Sequence, residues 1–205
     1  MKYKHIIFDI DGTMLNTEPV LLKVLQELIL DLQGKKVDIS DLIFTSGIPG
    51  DIALKKLGFQ DTETVNKLWN EAFLKKFHEV HLFDGIENVL KELDDKKINL
   101  GIITSKTHTE YKNDFLPFNI EHYFGTIICV DDVVEPKPSS ESMIKYLQSN
   151  NISPNEALYI GDTPYDMQCA KNAGVDFGLA VWGCHSTEPI QADYYLSYPK
   201  DILSI

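Results

Sequence analysis

Short runs of strand-forming residues, spaced by helical patterns, constrain this chain more than any single residue does. The runs are His5–Phe8, 99–104, 126–130, Ala157–Gly161, 177–181 and a brief last one at 193–196. Most are apolar at nearly every position, as strands covered on both faces are. Helical patterns at 84–97, 107–116, 140–149 and 164–173 lie between them, and Asp84 with Glu87 predicts a capping box at the first. This alternation predicts an α/β fold with a doubly wound parallel sheet. Residues 16–81 break the rhythm. They hold helical patterns at 19–33, 41–44, 51–57 and 62–78 and no strand signal. The expected organisation is an α/β core made of 1–15 and 82–205, with an all-α insert at 16–81.

Sheets of this kind bind ligands outside the carboxyl ends of their strands, so the residues following each strand carry the most information. The first strand ends in Asp9-Ile10-Asp11-Gly12-Thr13. Period-two geometry puts Asp9 and Asp11 on one side if the extended path continues. Two carboxylates that close call for a hard cation such as Mg2+; the alternative is a plain turn, since Asp and Gly form turns readily. The second strand delivers Thr104-Ser105-Lys106, where a hydroxyl and backbone N–H groups opening a helix suit an anion, the alternative for Thr104 and Ser105 being a helix cap. After the third comes Lys137, restricted by Pro136 and Pro138. The fourth ends in Gly161-Asp162-Thr163-Pro164-Tyr165-Asp166, where the two acids either face one ligand or complement a helix dipole. Four consecutive strand ends so furnished make coincidence a poor explanation.

Composition narrows the function. The net charge of −12 and a pI near 4.8 argue against general nucleic-acid binding. All 19 basic residues are lysines, so an anion clamp must use lysine, hydroxyls or backbone N–H groups rather than a guanidinium. No apolar run reaches the roughly 18–20 residues of a membrane span, and Asp9 and Asp11 interrupt the only apolar stretch that a signal peptide could use. Cys129, Cys169 and Cys184 are widely spaced and fit thiols in a reducing compartment, so the expected location is the cytoplasm.

These motifs, in this order, resemble those of the haloacid dehalogenase superfamily, specifically its phosphatases. The residues carrying the likeness are Asp9-Ile10-Asp11-Gly12-Thr13, Thr104, Lys137 and Gly161-Asp162 with Asp166. The insert is similar to that family's helical cap, and Val181-Trp182-Gly183 is similar to its phosphoglycolate phosphatase and pyrophosphatase subgroup. The resemblance implies a Mg2+-dependent phosphatase acting on a small phosphate monoester. Asp9 would be the nucleophile and Asp11 the general acid and base. Mg2+ would be held by Asp9, Asp162 and the Asp11 backbone carbonyl, with Asp166 behind through water. Thr104, Ser105 and Lys137 would bind the substrate phosphate. In the insert, the loop from Thr45, Ser46 and Gly47 to Gly50 is read as reaching the substrate, an ordinary helix connection being the alternative. Trp69 is expected in the insert's core, and Lys55 and Lys56 on a solvated helix face.

Two rival functions remain. A sugar phosphomutase uses the same Asp9 and Asp11, but needs a second phosphate site, typically with an arginine that this chain lacks. A receiver-like phosphoacceptor module also combines acids, a hydroxyl and a lysine; the insert and the second Asp of D-x-D argue against it. A dehalogenase is disfavoured because its chemistry uses no acid at Asp11. The leaving group and the oligomeric state are not readable.

Overall fold

The computed structural model describes residues 2–186 and 189–205. Its centre is a six-stranded parallel sheet in the order β3-β2-β1-β4-β5-β6. The strands are β1 (His5–Phe8), β2 (Asn99–Ile103), β3 (Phe124–Ile128), β4 (Ala157–Gly161), β5 (Asp176–Ala180) and β6 (Tyr194–Leu196). The chain reverses direction across the sheet between β1 and β4, which places a crevice between their carboxyl ends.

Period-two alternation explains why these strands are apolar throughout. Ile6, Phe8, Leu100, Ile102, Leu158 and Ile160 join one buried cluster, whereas Ile7, Ile103, Tyr159 and Phe177 join another on the opposite face. The second face is closed by α6 (Glu141–Asn150) and α7 (Pro164–Asn172), through Met143, Tyr146, Cys169 and Ala170. The first is closed by α4 (Ile86–Asp95) and α5 (His108–Asp114), through Val89, Leu90, Leu93, Tyr111 and Phe115. Helix α4 is capped by Gly85 at φ 91°, with no side-chain bond from Asp84. The expected Asp84–Glu87 capping box is therefore not formed, because a left-handed glycine already turns the chain into the helix.

Residues 16–81 form α1 (Glu18–Gln33), α2 (Gly50–Lys56) and α3 (Thr62–Lys75), joined by 3-10 turns at Ile39–Asp41 and Ile43–Thr45. The single helix expected at 62–78 ends at Lys75, with a 3-10 turn at Phe77–Glu79. Its buried face carries Val65, Trp69 and Phe73, which pack in the same continuous cluster as Leu22, Leu25 and Ile29 of α1. Trp69 is buried, and its Nε1 donates to the Leu21 carbonyl at 3.1 Å. Lys55 and Lys56 are exposed as expected. Among the described residues no helix is long and apolar enough to cross a membrane.

Candidate active site

The loop after β1 is built by backbone closure. Asp9 N–H donates to the Ile160 carbonyl of β4, and Gly12 N–H to Leu15, each at 2.9 Å. Gly12 sits at φ 75°, and a Cβ there would lie 2.2 Å from Asp162 Oδ2, so this turn needs glycine on two counts. Thr13 Oγ1 donates to Asp162 Oδ1 at 2.8 Å, joining the first and fourth strand ends. Val181-Trp182-Gly183 packs on the same loop. Trp182 Nε1 donates to the Thr13 carbonyl at 2.9 Å, and a Cβ on Gly183 would fall 1.7 Å from the Gly12 carbonyl oxygen.

Lys137 is the charge that allows this loop to carry acids indoors. Its ammonium donates to Asp9 Oδ1 at 2.9 Å and to Asp166 Oδ1 at 2.7 Å, with all three residues buried. Burial works against its charge, but Asp166 and Asp9 outweigh that and raise its pKa. Asp9 remains short of compensation. Burial, with Asp166 and Asp11 adding to it, holds its carboxyl up at about 7 against the opposing pull of Lys137. Burial also raises Asp162 well above the carboxylate range, with Asp166 and Asp9 adding to it and the Thr13 hydroxyl opposing.

Carboxylate oxygens of Asp9, Asp162 and Asp166 lie within 4.8 Å of one another. Three buried acids facing one lysine leave negative charge that a hard divalent cation fits. The three are not equivalent. Asp166 Oδ1 is already engaged by Lys137 and the Tyr159 hydroxyl, and Oδ2 by the Thr163 N–H and Oγ1. A carboxylate offers about four acceptor positions, so Asp166 acts first as the holder of Lys137 and of the α7 cap. Asp9 and Asp162 retain more capacity toward a cation.

Asp11 is held separately. Thr17 stands at the N-cap of α1, yet its hydroxyl makes no cap bond and donates instead to Asp11 Oδ1 at 2.6 Å. Lys106 reaches Asp11 Oδ2 at 3.1 Å and Asp114 Oδ2 at 2.9 Å. Lys106 shows no role in the sequence beyond its place after Thr104 and Ser105, because one partner, Asp11, comes from the distant loop after β1, while the other, Asp114, ends the helix that follows it.

Thr104 and Ser105 have different surroundings. Thr104 is buried beside the end of β2, and its Oγ1 accepts from the Lys106 N–H at 3.2 Å. Ser105 Oγ donates to the Gly47 carbonyl at 2.9 Å, so it faces the insert. The cap of α5 is neither of these but Thr107, which forms a capping box with Glu110.

Thr45, Ser46 and Gly47 do come over the strand ends. They line one cavity together with Asp9, Asp11 and Asp162 at its floor. Leu21, Ile48 and Trp69 form apolar parts of its roof. Ser46 Oγ donates to Glu18, which also pairs with His185 Nε2 at 3.3 Å. Thr45 Oγ1 turns back to the Leu42 carbonyl at 2.7 Å. Gly47, at φ 80°, lies so close to Thr163 that a Cβ would sit 2.7 Å from Thr163 Cγ2.

The profile of the haloacid dehalogenase-like hydrolases matches residues 6–180. A pyrophosphatase PpaX from Halalkalibacterium halodurans is 26% identical over 214 residues, covering 100% of this chain and 97% of its own. A Clostridium perfringens protein provisionally named pyrophosphatase PpaX is 28% identical over 209 residues, covering 98% of this chain and 96% of its own. Among solved structures, a Lactobacillus plantarum protein provisionally named a phosphoglycolate phosphatase superimposes with a TM-score of 0.89 at 28% identity. That match covers 100% of this chain and 99% of the other.

Proposed function

The chain belongs to the haloacid dehalogenase-like hydrolases, and from that premise we propose that it is a phosphatase that hydrolyses a small phosphate monoester or pyrophosphate through an aspartyl-phosphate on Asp9. The observation that carries this reading is the pair of carboxylates on one loop with separate partners. Asp9 is held by Lys137, and Asp11 by Thr17 and Lys106.

Phosphate esters repel an incoming anion, so their charge has to be offset before attack. Lys137 supplies one fixed positive charge beside Asp9. Mg2+, bound by Asp9, Asp162 and the Asp11 carbonyl, would supply the rest. An Asp9 oxygen attacks phosphorus, and the bond from phosphorus to the leaving oxygen breaks, with its electron pair passing to that oxygen. Asp11 gives its proton to the leaving oxygen. Water then attacks the aspartyl-phosphate, Asp11 takes back a proton, and phosphate leaves with Asp9 restored.

Residues 16–81 act as a cap that shields the intermediate from premature solvent access. Thr45, Ser46 and Gly47 then contribute to substrate choice. Thr104 is assigned to the transferred phosphate, whereas the bond from Ser105 to Gly47 favours a role for Ser105 in seating the cap. The names of the relatives point to a compact leaving group, glycolate or phosphate. The free thiols Cys129, Cys169 and Cys184 favour a reducing compartment such as the cytoplasm.

The test is phosphate release from a panel containing 2-phosphoglycolate, pyrophosphate, sugar phosphates and nucleoside monophosphates, with and without Mg2+. Mg2+-dependent release that Asp9→Asn abolishes is the expected result. Release that survives Asp9→Asn would rule the reading out.

A further inference from the structure

Lys106 is 7% exposed. A lysine in that position is retained only when its charge is matched, and the two matching groups come from different parts of the fold. Asp114 is the last residue of α5, buried, and 2.9 Å from Lys106 Nζ; Asp11 lies on the loop after β1, 3.1 Å away. The Phe73 ring of α3 covers the ammonium, with its centroid 5.8 Å from Nζ. Both carboxylates raise the pKa of Lys106 against the opposing effect of burial.

We propose that Lys106, anchored by Asp114, is a positioning residue that fixes the carboxylate plane of Asp11 against the leaving-group oxygen. The inference deepens the assignment of Asp11 as general acid and rests on it. The geometry supports it in three ways. Each Asp11 oxygen has its own donor, Thr17 on Oδ1 and Lys106 on Oδ2, which together fix both rotation and tilt. The two donors come from separate segments of the chain, one at the start of α1 and one before α5. Lys106 in turn cannot wander, because Asp114 and the Phe73 ring hold it from behind and above. Proton transfer requires the acid within hydrogen-bond reach of the leaving oxygen, and a misplacement of about 1 Å costs roughly a hundredfold. Lys137 has no such part; it contacts Asp9 and Asp166.

A positioning role for Asp11 matters only as far as the leaving group needs a proton. Nitrophenolate departs without one, whereas a more basic phenolate gains from one. The experiment is therefore kcat/KM of the full chain with Mg2+ on p-nitrophenyl phosphate and p-methylphenyl phosphate, two esters of similar shape, because kcat also contains hydrolysis of the aspartyl-phosphate, a step that both esters share. Lys106→Met is expected to lower kcat/KM for the methylphenyl ester about tenfold more than for the nitrophenyl ester. Lys106→Arg should recover part of that ratio, and Asp114→Asn should shift it the same way by less. The ratio is taken within one preparation, so a reduced folded fraction cancels. To remove the burden of an unpaired buried Asp114, the double variant Lys106→Met/Asp114→Leu is measured as well.

Equal losses on both esters in Lys106→Met, or no loss on either, would overturn the proposal. Asp11→Asn separates it from the reading beneath it. Selectivity against the methyl ester in Asp11→Asn but not in Lys106→Met sinks the role of Lys106 alone. No selectivity in Asp11→Asn sinks the acid assignment itself.

Discussion

The floor and the roof of the cavity are made by different physics. The floor is a set of charges delivered by strand ends, buried and locked into pairs: Lys137 with Asp9 and Asp166, Lys106 with Asp11 and Asp114, Thr13 with Asp162. The roof is made by helices and a loop whose contacts are apolar packing, the Trp69 bond to the Leu21 carbonyl, the Ser105 bond to the Gly47 carbonyl and the Ser46 bond to Glu18. Charges at fixed positions serve a reaction step common to all phosphate esters. Packing and backbone contacts can be reshaped without disturbing them. A floor of this kind sets the chemistry, and a roof of this kind sets the substrate.

The largest expected effect is at the floor. Asp9→Asn removes the proposed nucleophile and should lower turnover by roughly 10⁴-fold or more for every ester that the protein accepts, read as phosphate release. If only some esters were affected, the division between floor and roof would fail. Lys137→Met is next. It leaves Asp9 and Asp166 buried without their cation and should destabilise the fold by about 3–5 kcal/mol, read from urea unfolding at neutral pH.

The metal supplies a sharper test of the same charge imbalance. Asp9 is raised in the folded protein by burial, so the native state binds more protons there than the unfolded chain does. Without metal, this group therefore makes stability fall as pH rises from the ordinary carboxylate range toward about 7. Mg2+ bound there as proposed would displace that proton, and the raised Asp162 adds in the same direction, so the gain in Tm on adding Mg2+ should grow as pH rises through about 7. A gain that is largest at acid pH would contradict the placement of the cation at Asp9.

The smallest effects belong to the roof. Ser46→Ala removes one hydrogen bond, worth about 1 kcal/mol, and Trp69→Phe removes one hydrogen bond and part of a buried ring. They should alter KM a few-fold and reorder the preferred esters, while leaving Mg2+ dependence as it is. Steady-state kinetics across the substrate panel reads both.

The same division decides what the sequence revealed. Strands covered on both faces must be apolar along their whole length, so β1 and β4 are readable to the residue and the others to within a residue or two. An acid just past a strand end has ordinary readings as a turn or helix-dipole residue, and Asp9, Asp11 and Asp162 stood out because they recur with Thr104 and Lys137 at four consecutive strand ends. Asp166 serves the helix start by completing the Thr163 capping box, and it also holds Lys137, a partner that neither reading of this acid named. Lys106 was invisible because a lysine's burial depends on partners, and its partners lie 95 and 8 residues away. The cap loop was legible as a loop over the site, but not its partners. Its bonds run to Glu18, and from Ser105 to the Gly47 carbonyl, and they depend on how residues 16–81 pack on the rest of the chain rather than on any local pattern. The start of α4 was misread for a related reason. Asp84 and Glu87 have the right spacing for a capping box, but Gly85 takes a left-handed turn between them.

Covalent catalysis at Asp9 is tested most directly by quenching the enzyme in acid during turnover of a phosphate ester and mapping the phosphorylated peptide by mass spectrometry. A phosphoryl group on the peptide carrying Asp9 is expected, formed and lost within a turnover, and absent from Asp9→Asn. Turnover with no phosphoryl group on that peptide at any quench time would contradict it, and one that outlasts turnover by minutes would mark a phosphoacceptor switch instead.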